Sequence, residues 1–251
     1  MLRFRHHVDG RIVEGTADSP DELVGYDLAR PVDPPEVWGA GVTYERSRDA
    51  RMEESGAAQD LYALVYNAER PELFLKDAAG RRTVAPGGTV GIRSDSGWNV
   101  PEPEIGVVLG ENGAITGYTI GNDVSSRDIE GANPLYLPQA KVYAGACSFG
   151  PAVLVPDEPD PVFEIELTIR DAAGSELFSG ATSTARMRRG FADLTSWLLR
   201  DNPVPPGSVL LTGTGLVPAD DFTLRPGHLV EIHVPGIGTL RNTVALATDL
   251  L

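Results

Sequence analysis

Lysine is nearly missing from this chain. Of its 21 basic residues only Lys76 and Lys141 are lysines. A lysine ammonium is compact and loses its proton readily on burial, which arginine does not, so the two survivors are candidates for a specific role. Cysteine is rarer still. The single Cys147 excludes an internal disulfide framework and fits a reducing cytoplasm, the compartment expected here. No apolar run approaches the roughly 20 residues a membrane span needs, and Met1 to His7 lack the apolar core of a signal peptide. Positive charge is in deficit as well. Thirty-six acidic residues against 21 basic ones give a net charge of −15, which argues against nucleic acid or an anionic membrane as partner. A small anionic substrate stays open, because local cations override the global field. Histidine occurs only at His6, His7, His228 and His233, so none falls between residues 36 and 227.

Glycine and proline, by contrast, are plentiful at 28 and 20. They punctuate short apolar runs, which predicts a β-rich fold with many turns. Residues 1–35 read as a small N-terminal domain: a strand from Leu2, a turn at Asp9-Gly10, a second strand from Arg11, and a helix cap at Ser19. Pro31 to Pro35 form an extended linker into a larger unit, residues 36–251. There Glu36 to Tyr44 read as a buried strand. Residues 45–69 read as two short charged helices broken at Ser55-Gly56, either a lid over a site or a solvated surface. Arg70 to Lys76 form a strand whose period puts Glu72, Phe74 and Lys76 on one face. Leu137 to Pro151 read as a loop of small residues carrying Lys141. A second hairpin, Phe163 to Thr184, an amphipathic helix, Phe191 to Arg200, and strands at Leu229 and Gly238 follow. Thr212-Gly213-Thr214 end another strand in a small-residue loop able to hold an anion.

The stretch Trp98 to Leu109 concentrates the chemistry. It passes from a polar loop into an apolar strand, with Glu102 and Glu104 two residues apart at its mouth. Strand period puts both on one face, where two like charges repel unless a cation lies between them. A divalent metal resolves this; a solvated edge strand is the alternative. Gly110 to Gly113 form a hairpin turn, and pairing Leu109 with Ala114 sets Glu104 against Thr119 and Glu102 against Gly121. Asp123 then lies one pair further out on the same face. A set of oxygen ligands with no nearby histidine or cysteine favours Mg²⁺, Mn²⁺ or Ca²⁺ over zinc.

These motifs, in this order, resemble the fumarylacetoacetate hydrolase family: Pro101-Glu102-Pro103-Glu104, Asn122-Asp123 through Arg127-Asp128, Lys141, Leu211 to Thr214, and the ending Val230 to Val244. The resemblance implies an α+β, mostly β fold, a mixed β-roll or β-sandwich with short helices. It also implies a Mg²⁺ site (Mn²⁺ or Ca²⁺ being possible) at Glu102, Glu104 and Asp123, and a homodimer or homotetramer. Hydrolases and decarboxylases of the family usually carry a catalytic histidine in the lid, which this chain lacks. Pro34 to Glu45, Val65 to Lys76 and Asn133 to Gln139 instead look like the 2-keto-3-deoxy-D-arabinonate dehydratase branch, which converts a 2-oxo-3-deoxy sugar acid to 2,5-dioxopentanoate. On that reading Lys141 and Glu45 are the acid/base candidates. Arg46 and Lys76 would hold the substrate carboxylate or hydroxyls, Thr212, Gly213 and Thr214 the carboxylate, and Ser94 and Asp95 the sugar hydroxyls. Two alternatives stay open: an acylpyruvate hydrolase or oxaloacetate decarboxylase using Glu45 and water, and a non-catalytic protein that binds metal and a 2-oxo acid.

Overall fold

Short apolar runs between glycines and prolines become short strands. The computed structural model describes residues 1–45, 59–158 and 160–251. The chain begins with β1 (Leu2–Val8), β2 (Arg11–Ala17) and β3 (Glu36–Gly41), then helix α1 (Gln59–Asn67). Next come β4 (Glu72–Ala78), β5 (Thr83–Val84), β6 (Thr89–Ile92), β7 (Asn99–Val100), β8 (Pro103–Leu109), β9 (Ile115–Asp123) and β10 (Ser125–Ser126). Two short helices, α2 (Arg127–Ala132) and α3 (Leu137–Lys141), lead into β11 (Cys147–Leu154), β12 (Glu164–Arg170) and β13 (Glu176–Ser183). Helix α4 (Phe191–Leu198) precedes β14 (Val209–Leu211), β15 (Leu229–Val234) and β16 (Gly238–Leu246).

The larger sheet runs β2-β1-β11-β9-β8-β14-β3-β4, with β5 pairing β11 in parallel. A second sheet runs β13-β12-β15-β16-β6, and β7 pairs β10. Strand β8 shows how the layers form, because it is buried on both faces. Ile105, Val107 and Leu109 pack against Ile165, Leu167, Ile169 and Ile232 of the second sheet and against Leu194 of α4. Val108 points the other way, against Val37, Phe149, Val209 and Leu211. Side chains alternate along a strand, so Glu102 and Glu104 share the Val108 face, away from the second sheet.

The larger sheet curls strongly. Strands β9 and β4 are four neighbours apart, about 19 Å in a flat sheet at ordinary strand spacing. Yet Lys76 of β4 makes an ion pair with Asp123 of β9. No lysine spans the flat distance, so the sheet must roll over the ends of β8 and β9.

Residues 1–35 contribute β1 and β2, with Leu2, Phe4, Ala17 and Leu23 packed on Ala152 of β11. Strand β1 joins the sheet through Leu2↔Leu154 and Arg3↔Val153. The Ser19 cap opens only one 3₁₀ turn, Pro20–Leu23.

Two expectations need correction. The hairpin of β8 and β9 pairs Glu104 with Gly121, and Asp123 N–H donates to the Glu102 carbonyl at 3.0 Å. Asp123 therefore faces Glu102 directly. A bulge at Val108/Leu109 and a 3₁₀ turn at Glu111–Gly113 shift the register by two, and an even shift leaves every side chain on its face. Leu137 to Pro151 is not a loop: Pro138 sits in the first turn of α3, where its missing N–H costs nothing, and β11 lies between β1 and β9. Pro151 is tolerated there because pairing with β9 is irregular between Gly150 and Leu154. Of the expected lid, residues 46–58 lie outside the described residues, while α1 carries the helical spacing of Leu61, Leu64 and Val65.

Candidate active site

Glu102 stands just before β8, Glu104 within it and Asp123 at the end of β9. One carboxylate oxygen from each lies within 4.8 Å of the others, and all three residues are buried. Ligand oxygens across a Mg²⁺ or Ca²⁺ ion span roughly 4 to 5 Å.

Three buried cations converge on the same carboxylates. Lys141 Nζ donates to Glu102 Oε2 at 2.7 Å, Asp123 Oδ2 at 3.1 Å and Ser125 Oγ at 2.5 Å. Lys76 pairs with Asp123 Oδ1 and donates to the Val124 carbonyl at 3.0 Å. An Arg127 guanidinium nitrogen lies 3.1 Å from Glu102 Oε1. Among the described residues no lysine or arginine pairs with Glu104; the Gly213 N–H donates to its Oε2 at 2.7 Å. Burial, with the charges of Asp123 and Glu102, therefore pushes the Glu104 carboxyl well above the usual glutamate range. Burial also pushes the nearby Tyr44 phenol up, and the Glu104 charge adds to it. A buried carboxylate that no lysine or arginine pairs with among the described residues, beside two more, suits a hard divalent cation. The donor set fits.

The local chain explains the placement. Gly213 has φ +87°, and a Cβ there would lie 2.1 Å from Thr43 Oγ1. Thr43 Oγ1 in turn donates to the Thr212 carbonyl at 2.7 Å, and Thr212 Oγ1 to the Ile105 carbonyl at 2.8 Å. Those bonds also fix the neighbouring corner, where Val42 has φ 52°. A buried β-branched residue in that conformation costs about 1–3 kcal/mol and persists only where its surroundings enforce it. Val42 lines the cavity beside the carboxylates, together with Gly41, Glu72, Phe74, Glu130 and Thr214. A Cβ on Gly41 would lie 2.0 Å from Glu72 Oε2, so only glycine permits that approach.

The structure thus brings Glu102, Glu104, Asp123, Lys141, Gly213 and Thr214 together. Other sequence-predicted residues fall elsewhere. Lys76, expected to touch substrate, is fully buried behind Asp123. Thr212 is engaged with the backbone. Ser94 and Asp95 are exposed and outside the cavity, and Arg93 grips Asp95 at 2.6 and 2.7 Å, holding its carboxyl below the usual range. Glu45 is exposed at the edge of the described residues, and Arg46 lies outside them. Sequence reasoning missed Arg127 and Glu130, both buried. Their spacing of three on a helix directly after Asp123 was the available signal.

Comparison with known proteins gives one answer. Residues 37–245 match the model of the fumarylacetoacetate (FAA) hydrolase C-terminal family. The chain is 49% identical over 244 residues to a probable 2-keto-3-deoxyxylonate dehydratase of Haloferax volcanii, covering 96% of this chain and 83% of that one. It is 46% identical over 217 residues to the 2-dehydro-3-deoxy-D-arabinonate dehydratase of Saccharolobus solfataricus, covering 85% and 72%. It superposes with a TM-score of 0.86, at 35% identity and covering 98% and 99% of the two chains, on a 2-keto-3-deoxy-D-arabinonate dehydratase complexed with magnesium and 2,5-dioxopentanoate. The mostly β fold, the ordered motifs and these matches agree: the chain belongs to the fumarylacetoacetate hydrolase family.

Proposed function

We propose that this protein is a Mg²⁺-dependent dehydratase that converts a 2-oxo-3-deoxy sugar acid of the 2-keto-3-deoxy-D-arabinonate type to 2,5-dioxopentanoate. The observation that carries the reading is the pairing of a buried Glu-Glu-Asp triad with a lysine, in a chain without histidine from residue 36 to 227. Relatives at 46% and 49% identity bear dehydratase names.

Glu102, Glu104 and Asp123 would hold Mg²⁺, which when bound supplies Lewis-acid polarisation of a 2-oxo acid. Lys141 is the group to move the proton at C3, since its Nζ stands over the triad and lines the cavity. Lys76 orients Asp123 from behind, and Arg127, itself in the cavity lining, orients Glu102. Thr214 faces the substrate, and Gly213 fixes Glu104. Glu45 and Arg46 complete the reading as contacts from the 45–69 segment. The reading extends to a cytoplasmic homodimer or homotetramer. Exposed Ile12 and Val13 on the edge strand β2 offer apolar surface for assembly, and light scattering reads it.

Incubation with Mg²⁺ and 2-keto-3-deoxypentonates, followed by assay of 2,5-dioxopentanoate, tests the function. Product that disappears with a chelator is expected. Cleavage of acylpyruvates without dioxopentanoate would replace the reading with a hydrolase.

A further inference from the structure

The conversion just proposed ends in a reactive molecule. 2,5-Dioxopentanoate has a ketone at C2 and an aldehyde at C5, which makes it a 1,4-dicarbonyl. Such a compound condenses with a primary amine and needs no oxidant. The amine nitrogen adds to the C5 aldehyde, and one water leaves to give an imine. Its enamine tautomer then adds through nitrogen to the C2 ketone. Loss of a second water closes an aromatic pyrrole-2-carboxylate, whose nitrogen carries no N–H. Lysine ranks among the commonest residues of soluble proteins, so an ordinary protein surface is a field of targets for this product.

This chain offers almost none. Lys76 and Lys141 are its only lysines, and the other basic side chains are arginine and histidine. Lys76 is 0% exposed and Lys141 2%. The single thiol, Cys147, is 0% exposed as well. A guanidinium keeps its proton at neutral pH and has no free electron pair with which to attack. An imidazole nitrogen belongs to a ring already and cannot close a pyrrole. Arg127, which lines the cavity where product forms, is of the unreactive kind.

The two lysines that remain are also held by what they donate to. A pyrrole at Lys141 would strip Glu102, Asp123 and Ser125 of its N–H donors. One at Lys76 would do the same to Asp123 and the Val124 carbonyl. Removing a cation from a buried carboxylate is strongly unfavourable. Lysine is thus kept where a compact ammonium fits against buried carboxylates, and nowhere on the surface.

We propose that the molecule is proofed against covalent attack by its own product, because its surface presents no amine side chain and its two lysines are buried against carboxylates. The identity of that product rests on the dehydratase reading above. The α-amino group of Met1, a residue 51% exposed, is then the one place where 2,5-dioxopentanoate attaches.

The test incubates the Mg²⁺-loaded protein with 2,5-dioxopentanoate at neutral pH, beside the triple variant Arg11→Lys, Arg81→Lys, Arg225→Lys. All three arginines are exposed and none lines the carboxylate cavity. Intact-mass spectrometry counts the pyrroles, each adding one dioxopentanoic acid less two waters, and peptide mapping places them. Wild type should take one adduct, at Met1. The variant should take further adducts at its new lysines, at least about a hundredfold faster than Lys76 or Lys141, whose reaction waits on local opening. Wild type unfolded in guanidinium chloride should acquire adducts on both lysines, since burial alone protects them. The proposal is overturned if native wild type is modified at Lys76, Lys141, Cys147 or an arginine as fast as the new lysines are. It is equally overturned if the new lysines stay unmodified. The aldehyde is supplied directly, so these outcomes are independent of turnover. A wild type that makes no 2,5-dioxopentanoate from 2-keto-3-deoxypentonates overturns the dehydratase reading instead, by a measurement that adduct formation does not mimic.

Discussion

Two cavities of this molecule share a sheet and differ in how they treat charge. A cavity of about 730 Å³ opens between β1, β2 and the turn after β8, with Arg3, Arg5, Glu14 and Asp33 around it. Its charges are satisfied near water: Arg5 meets Asp33 at 2.7 Å, and Asp33 remains 56% exposed. The cavity at the ends of β8 and β9 is far smaller, yet its carboxylates and the cations on them are nearly all withdrawn from solvent. Size alone would direct attention to the first. Burying three carboxylates within 4.8 Å of one another makes no contribution to a core, and it is retained where the charges have work to do.

Four measurements would break or sharpen that contrast. Lys76→Met leaves Asp123 without one of its two cations in a dry site, so unfolding free energy in denaturant should fall by about 3–5 kcal/mol; a loss under 1 would mean water reaches Asp123. Glu102→Gln should weaken Mg²⁺ at least a hundredfold in calorimetry, about 2.7 kcal/mol, while the fold persists; unchanged affinity would misplace the metal. The third measurement is pH. With its carboxyl raised, native Glu104 keeps a proton that the unfolded chain has already lost. Metal-free stability should therefore be level below the ordinary glutamate pKa and fall as pH rises toward the raised value, by at most about 1.4 kcal/mol per pH unit. Mg²⁺, which needs the ionised carboxylate, should stabilise more over that same window. Thermal melts with chelator and with Mg²⁺ check both signs, and a metal-free melting temperature that climbs with pH would refute the assignment. Smallest is Arg5→Ala in the large cavity, expected to cost about 0–1 kcal/mol because Asp33 stays solvated, with dehydratase activity unaltered.

Much of the carboxylate cavity was legible because its three clustered carboxylates come from one hairpin. Strand period alone put Glu102, Glu104 and Asp123 on a common face, and even the two-residue register error preserved it. The scarcity of lysine pointed to Lys76 and Lys141, and both reach the triad. What Lys76 does there was not legible. Its partner sits four strands away, and only the curl of the sheet joins them. Ser94 and Asp95, expected at the sugar hydroxyls, lie exposed outside the cavity, with Arg93 bound to Asp95, a placement that no local pattern in the sequence marks. Leu137 to Pro151, expected as a loop, hid an α-helix and most of a central strand behind prolines and small residues, whose preferences tertiary burial overrides.

The curl has one more consequence. Neighbouring strands are tied by backbone ladders that are indifferent to solution conditions. The closure of β4 onto β9 is made instead by an ammonium and a carboxylate, and the ammonium also donates to the Val124 carbonyl. A cation bound by Asp123 would compete with Lys76 for that carboxylate, so the seam is where occupancy of the cavity should be felt in the sheet. Slow amide exchange along β4, measured with and without Mg²⁺, would then report on what occupies the cavity that Glu72 and Phe74 of that strand line.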